Sequence, residues 1–424
     1  MDKALRPVAS DQACAGPVTG RKRVLVIAYA LSPVLGSEYR SAWELVQHFA
    51  ARHDVTVIFG DSDGLMGGFD HFDAHAKSNP LTFTPVRILP TDGERRMAER
   101  MLRMPWALFF PALLKRWHAR AFEEARVLHA QTPFDVVHQL GPIGFRNPGF
   151  AWKLGCHSYW GPIGGAQFID RRMIRNKWSA YHAEALFRNL SVRLQGHSRY
   201  IAKAARGFDR LSFATVENAA YFQARFGRTG PIISDQGLTL PVLAPAEGQV
   251  REGPLRVAWA GSLTPRKNVA ALIEVVRASD PDIRFDVVGD GPLGPDMAEL
   301  ARLHPNLTAH GRLPRPQVMK ILQAADVILL TSLSEANTAI LFEGLENGCI
   351  PITPAINGFV STLTDDVAFL IRQGDPDRAV ADTVAALRTL KDPDVRQRYR
   401  EALGRHLGTL TWERLGEAHE ASYV

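Results

Sequence analysis

Short apolar runs alternate along this chain with longer stretches whose apolar positions recur every three or four residues. The first pattern predicts buried strands and the second amphipathic helices. Strands are expected in the first half at 23–29, 55–59, 86–90, 135–139, 158–163, 210–214 and 231–234. In the second half they are expected at 255–260, 284–288, 307–310, 326–330, 350–353 and 367–371. Helical stretches such as 269–278 and 315–324 lie between them. Strand, helix and strand repeating every ~17–30 residues predicts parallel sheets with right-handed crossovers.

The strand rhythm restarts near residue 255, just after a Pro-, Gly- and charge-rich stretch, 240–254, that reads as a linker. The expected architecture is α/β, with two doubly wound Rossmann-like domains facing a cleft. Ligands of such sheets bind outside the carboxyl ends of the strands, so the cleft is the expected site. The plainer alternative is one binding domain and one that is only scaffold.

Composition narrows the function classes. At 46% apolar and 22% charged residues the chain is globular rather than disordered. Cys14, Cys156 and Cys349 are scattered, without CxxC spacing, which excludes a disulfide framework and fits a reducing compartment. Residues 1–20 lack an apolar core of signal-peptide length and read as a loose tail. The most apolar stretch, 104–114, holds Pro105 and Pro111 and falls well short of the ~20 residues that a membrane span needs. Residues 1–250 carry a net charge of +10 and residues 251–424 carry −4, which points to an anionic partner on the first half. Nucleic acid has only this charge behind it, with no recognised motif. Residues 93–120 interleave basic side chains with Trp, Phe and Leu. That composition suits a membrane interface; the plainer reading is an internal helix pair.

Chemistry concentrates at strand-to-helix turns. In 331–354 (TSLSEANTAILFEGLENGCIPITP) a helix is expected to open near Asn337 and Thr338, and its unpaired N–H groups suit an anion. Glu335 precedes this start and Glu343 follows, about 12 Å apart along a helix. That separation suits two hydroxyl-rich groups joined by a diphosphate better than a carboxylate dyad. Arg266 and Lys267 sit at another such turn, where phosphates are met. The GxGxxG at 289–294 follows the second strand of its domain and lacks an acid some 20 residues on, so it reads as a tight turn at the cleft edge. Turns 32–38 and 161–166 carry glycines that let backbone approach a ligand. His138 ends a strand, where core duty and ligand contact are both open. Asp61-Ser62-Asp63 reads as a surface loop.

These segments, in this order, resemble the family 4 glycosyltransferases with the two-Rossmann GT-B fold, from about residue 21 to the end. The most specific part is the E-x7-E element, Glu335 to Glu343, followed by ENGCIPI. Gly36-Ser37-Glu38, the VVH ending in His138, WGPIGG at 160–165, GDGP and the closing TWERLGEAHEASY also look like family landmarks. The resemblance implies an N-terminal acceptor-side domain at 21–242, a nucleotide-sugar-binding domain at 243–410, and a helix within 411–424 crossing back to the first domain. It implies a retaining hexosyltransferase that moves a sugar from a nucleoside diphosphate donor to an acceptor hydroxyl, without a metal or other cofactor. Glu343 would hold the ribose hydroxyls and Glu335 the sugar. Amides around Thr338, Ala339 and Ile340 would meet the diphosphate, with Lys267 neutralising the leaving charge. Asn337 would border the donor pocket. His138 would face the sugar ring, Gly36 would let the diphosphate approach, and His310 and Gly311 would lie near the base. Ser262 stands where the family has an Arg, leaving Arg266 to fill the phosphate clamp; Gly344 stands where Ala is usual. A lipid-linked acceptor of polysaccharide biosynthesis and an anionic membrane surface are the expected partners, with the protein cytoplasmic on the inner face of the plasma membrane. A GT-B nucleotide-sugar-binding protein with little transfer activity is the alternative.

Overall fold

The computed structural model describes residues 20–64, 66–102, 110–177, 179–239 and 253–424. Most of the expected tail, most of the expected linker and residues 103–109 of the apolar stretch lie outside them. Two parallel six-stranded sheets organise the described residues. The first holds β1 (Arg23–Ile27), β2 (Asp54–Phe59), β3 (Thr84–Arg87), β4 (Val136–Gln139), β5 (His157–Ile163) and β6 (Arg210–Phe213), ordered β3-β2-β1-β4-β5-β6. The second holds β7 (Arg256–Ala260), β8 (Arg284–Val288), β9 (Leu307–Gly311), β10 (Val327–Leu329), β11 (Ile350–Pro354) and β12 (Phe369–Ile371), ordered β12-β11-β10-β7-β8-β9. Both are the same doubly wound arrangement, whose reversal of strand order opens a crevice at the carboxyl ends.

The expected strands form, with shifted ends, except 231–234. That run makes only a bridge between Phe213 and Ile232 before Ser234 turns the chain through its bonds to Gln236. The strands are legible because both of their faces are buried. In β1, Val24 and Val26 pack with Phe49, Trp412 and Tyr423, while Leu25 and Ile27 pack with Trp117, Trp160 and Phe213.

Loops at the carboxyl ends of the two sheets meet. The amide of Asn357, after β11, donates to Glu217 at 3.0 Å, and the amide of Val216, after β6, donates to Ser361 Oγ at 3.2 Å. The chain crosses between the domains at Leu238 and again at Thr411, and the two crossings pair with each other. Beyond the second, the Trp412–Glu420 helix packs on the Glu38–Arg52 helix. Its Glu420 carboxylate accepts from Arg52 Nε at 3.0 Å.

Other contacts differ from the sequence reading. Ile169, Met173, Ile174, Tyr181 and Ala185 belong to the core of the second domain, so that core draws on sequence from both sides of residue 243. Arg175 ties this arm down by pairing with Asp377 at 2.7 Å and with Glu274 at 2.5 Å. Leu113, Leu114 and Trp117 are buried in the first core, and Arg120 pairs with Glu94 at 2.6 Å, so these parts of 93–120 form an internal helix pair. Asp61 and Ser62 are fully buried rather than on a surface loop. The Asp61 carboxylate accepts from Tyr39 Oη and from the amides of Asp63, Met66 and Gly68, which fixes the turn after β2. No described helix is long and apolar enough to cross a membrane.

Candidate functional site

β7 ends at Ala260, and the chain turns through Gly261 and exposed Ser262 into the 3-10 turn Pro265–Lys267. This turn puts Arg266 and Lys267 on one carboxylate. Arg266 Nη1 and Lys267 Nζ each lie 2.6 Å from Glu335 Oε1, and Arg266 Nη1 also donates to Ser334 O at 3.2 Å. Thr331 Oγ1 locks the two loops together, donating to Lys267 O at 2.6 Å and accepting from Trp259 Nε1 at 3.1 Å. Lys267 is buried, so its charge acts with little water to screen it.

The helix expected near Asn337 runs from Ala339 to Glu346. Its N-cap residue, Thr338, makes no side-chain cap, so the first amides of the helix have no acceptor from that side chain. Ala339 and Ile340 form its first turn. Glu343 lies on the next turn and accepts from Arg315 Nε at 2.9 Å. Gly344 is explained by packing: a Cβ there would sit 2.9 Å from Ile328 Cγ2 and 3.0 Å from Ile328 Cβ. Asn337 instead reaches Asp235 of the first domain, and Thr362.

Gly289, at φ 143°, presses onto Gly261, where any side chain would strike the Gly261 carbonyl. The GDGP turn therefore buttresses the β7 turn. His310 Nε2 bonds Asp286 Oδ1 at 2.8 Å, and beside it Gly311 faces open space.

From the first domain, exposed Gly36 leads into Ser37, held at φ 56°, ψ −134°, an uncommon conformation for a non-glycine residue. Glu38 then opens its helix and accepts from the Ile143 amide at 2.5 Å. Burial, with the Asp235 charge adding to it, raises the Glu38 carboxyl to about 7 despite that bond. Burial likewise raises Asp235 to about 6, against the bond from Asn337, with Glu335 adding to the rise.

His138 does not face the cleft. It is fully buried, with Nδ1 2.9 Å from Tyr423 Oη and Nε2 2.9 Å from Gly161 O. A carbonyl only accepts, so Nε2 carries the proton and Nδ1 accepts from the tyrosine. Burial holds the imidazole at about 3, against the lift from Gly161 O, so it stays neutral. Tyr423 closes over His138, so of the two duties left open for it the structure shows the core one.

The structure thus brings Arg266, Lys267 and Glu335 together just ahead of the Ala339–Glu346 helix, which carries Glu343. Ser262, His310 and Gly311 lie on turns of the same domain, Gly36 on a turn of the first, and His138 lies apart in the core. Sequence reasoning missed Glu38 as a side chain and Asp235. One signal was visible: the tetrad GPIG recurs at 141–144, just after β4, and at 161–164, across the end of adjacent β5, and Gly144 pairs with Gly164.

A model of the glycosyl transferases group 1 family matches residues 244–404. A D-inositol 3-phosphate glycosyltransferase of Kribbella flavida is 27% identical over 320 residues, spanning 66% of this chain and 72% of that protein. Among solved structures, sucrose-phosphate synthase from Thermosynechococcus elongatus has TM-score 0.63 at 14% identity, covering 94% of this chain and 97% of its own. An E. coli trehalose-6-phosphate protein bound with UDP-2-fluoro glucose also has TM-score 0.63, at 12% identity, covering 95% of this chain and 99% of its own. The chain accordingly has the GT-B fold, and its residues 244–404 match the glycosyl transferases group 1 family model.

Proposed function

We propose that the protein is a retaining glycosyltransferase, moving a hexosyl unit from a nucleoside diphosphate sugar to a hydroxyl of a lipid-linked acceptor in polysaccharide biosynthesis. The observation that carries the reading is the convergence of Arg266, Lys267 and Glu335 on the uncapped opening of the Ala339–Glu346 helix. As the bond from the anomeric carbon to the diphosphate breaks, negative charge grows on the leaving oxygens. Fixed cations and amides aimed there stabilise that charge without reorganising. In this reading Lys267 and the Thr338–Ile340 amides hold the diphosphate, and Glu335 meets the sugar hydroxyls. Glu343 holds the ribose, and His310 and Gly311 flank the base. The acceptor hydroxyl attacks from the face that the diphosphate leaves, giving up its proton to the departing diphosphate oxygen, which preserves the configuration.

Two features support a lipid-linked acceptor at the inner face of the membrane. The first half carries the +10 charge, and the Ala180–Gln195 helix exposes Leu186, Phe187, Leu190 and Leu194. The Kribbella relative, by its name, glycosylates an inositol phosphate, so a soluble phosphorylated polyol is the contrasting acceptor. Recovery with anionic liposomes on flotation, lost at high salt, is expected; none at low salt would favour the soluble acceptor.

Lys267→Ala is expected to lower transfer by about 10²–10³-fold while the fold is kept. Unchanged turnover with any accepted donor would remove Lys267 from the site. Ser262 and the buried His138 favour a second reading, a nucleotide-sugar-binding protein without turnover. Calorimetric donor binding with no product from any acceptor would select it.

A further inference from the structure

The arm that crosses from the first domain brings one more cation to this place. Tyr181, Ala185 and Arg188 fall at i, i+4 and i+7 of the Ala180–Gln195 helix, along one face. Tyr181 and Ala185 are embedded in the same second core as Leu263 and Val269, which bracket the turn bearing Arg266 and Lys267. Tyr181 and Arg188 on this face both feel the charges of Arg266 and Glu335. Arg188 Nε is buried and finds no hydrogen-bond partner among the described residues. Burial lowers the basicity of Arg188 and the charge of Arg266 lowers it further, against the lift from Tyr181, Glu184 and Glu335; Arg146, on the β4 loop, is lowered by burial and by Arg188, against Tyr221. Arg188 is thus within electrostatic reach of both domains' cations. Glu335, the carboxylate shared by Arg266 and Lys267, is already engaged by both, and Glu184 is exposed to solvent. A half-buried guanidinium beside like charge, with its Nε donor buried and unpaired, is costly to the empty protein and calls for an anion.

We propose that Arg188 is a third cationic ligand of the donor's diphosphate, so that both domains grasp the same group. This rests on the reading of the Arg266–Lys267–Glu335 cluster as the donor site. It gives the arm a purpose beyond packing: the guanidinium that position 262 lacks arrives from the opposite domain. Arg is suited to the task because its planar fork meets two phosphate oxygens at once.

The test uses the full chain and calorimetry with UDP, GDP and ADP, each against its monophosphate. Arg188→Met keeps the length and apolar stem of the side chain but removes the charge. For the diphosphate that the wild type binds, affinity should fall at least about tenfold, and for the monophosphate less than about threefold. Arg188→Lys should bind the diphosphate more tightly than Arg188→Met. Without nucleotide, Arg188→Met should melt at or above the wild-type temperature, because the repulsion with Arg266 is gone. Equal losses for mono- and diphosphate, or unchanged diphosphate affinity, would overturn the assignment while leaving the donor site in place. A wild type that binds none of the three diphosphates would remove the donor site and the assignment together.

Discussion

Asn337 Nδ2 donates to Asp235 Oδ1 at 2.7 Å, joining the loop that opens the Ala339–Glu346 helix to the far side of the cleft. The same side chain accepts from Thr362 Oγ1 at 3.0 Å, so the amide is held at both ends. Asp235 is enclosed, and its raised carboxyl makes this a bond to a group that titrates near neutrality.

Asn337→Asp should therefore act through pH. At pH 8 two carboxylates would face each other in a buried place, costing about 1–3 kcal/mol. At pH 5 the pair can share a proton and most of the loss should return. Melting temperatures of both proteins across this range check it; an equal loss at pH 5 and pH 8 would sink the idea.

Glu38 gives a second pH dependence. Its folded carboxyl titrates at about 7, above the ~4.3 of an unfolded Glu, so the native state holds the proton more tightly. Its contribution is fully present below about pH 4 and is lost as pH rises toward 7. Glu38→Gln keeps an oxygen for the Ile143 amide and does not ionise. Relative to wild type it should gain roughly 3 kcal/mol between pH 4 and pH 8, read from urea unfolding at each pH.

His138 is a structural residue. His138→Phe would leave the Gly161 carbonyl and the Tyr423 hydroxyl buried without partners, at a cost of about 2–4 kcal/mol. Nucleotide affinity of the folded fraction should be unchanged. Urea melts and calorimetry separate the two, and a selective loss of binding without lost stability would return His138 to the cleft.

Gly358 and Gly404 form a contrasting pair. A Cβ at Gly358 would run into the Ala336 carbonyl and Asn337 Oδ1, displacing the loop before the Ala339–Glu346 helix. Gly358→Ala should weaken donor binding more than about tenfold. Gly404, exposed in a helix with open space around it, should gain about 0.5–1 kcal/mol on change to Ala, with binding intact.

The sheets were legible because strands such as β1 are apolar on both faces, and the Val269–Ala278 and Arg315–Ala324 helices formed where their periodicity placed them. Glu335, Arg266 and Lys267 were legible because each lies next to a strand end, where local order fixes position. Asp235 and Arg188 were not, because what makes them notable is a partner some hundred residues distant or the lack of one. His138 was misplaced for the same reason: a strand end looks alike whether or not Tyr423 closes over it. Asp61 looked solvated because its partners, Tyr39 and the Met66 and Gly68 amides, appear only when the turn closes.

The two halves of this molecule are not separable at the linker. With Ile169, Met173, Ile174 and Tyr181 completing the opposite core, a fragment starting after residue 252 would expose an apolar trough and should aggregate when expressed alone. Any chimera that exchanges the C-terminal half must carry residues 167–188 with it, and the graft junctions belong on the flanks of that excursion.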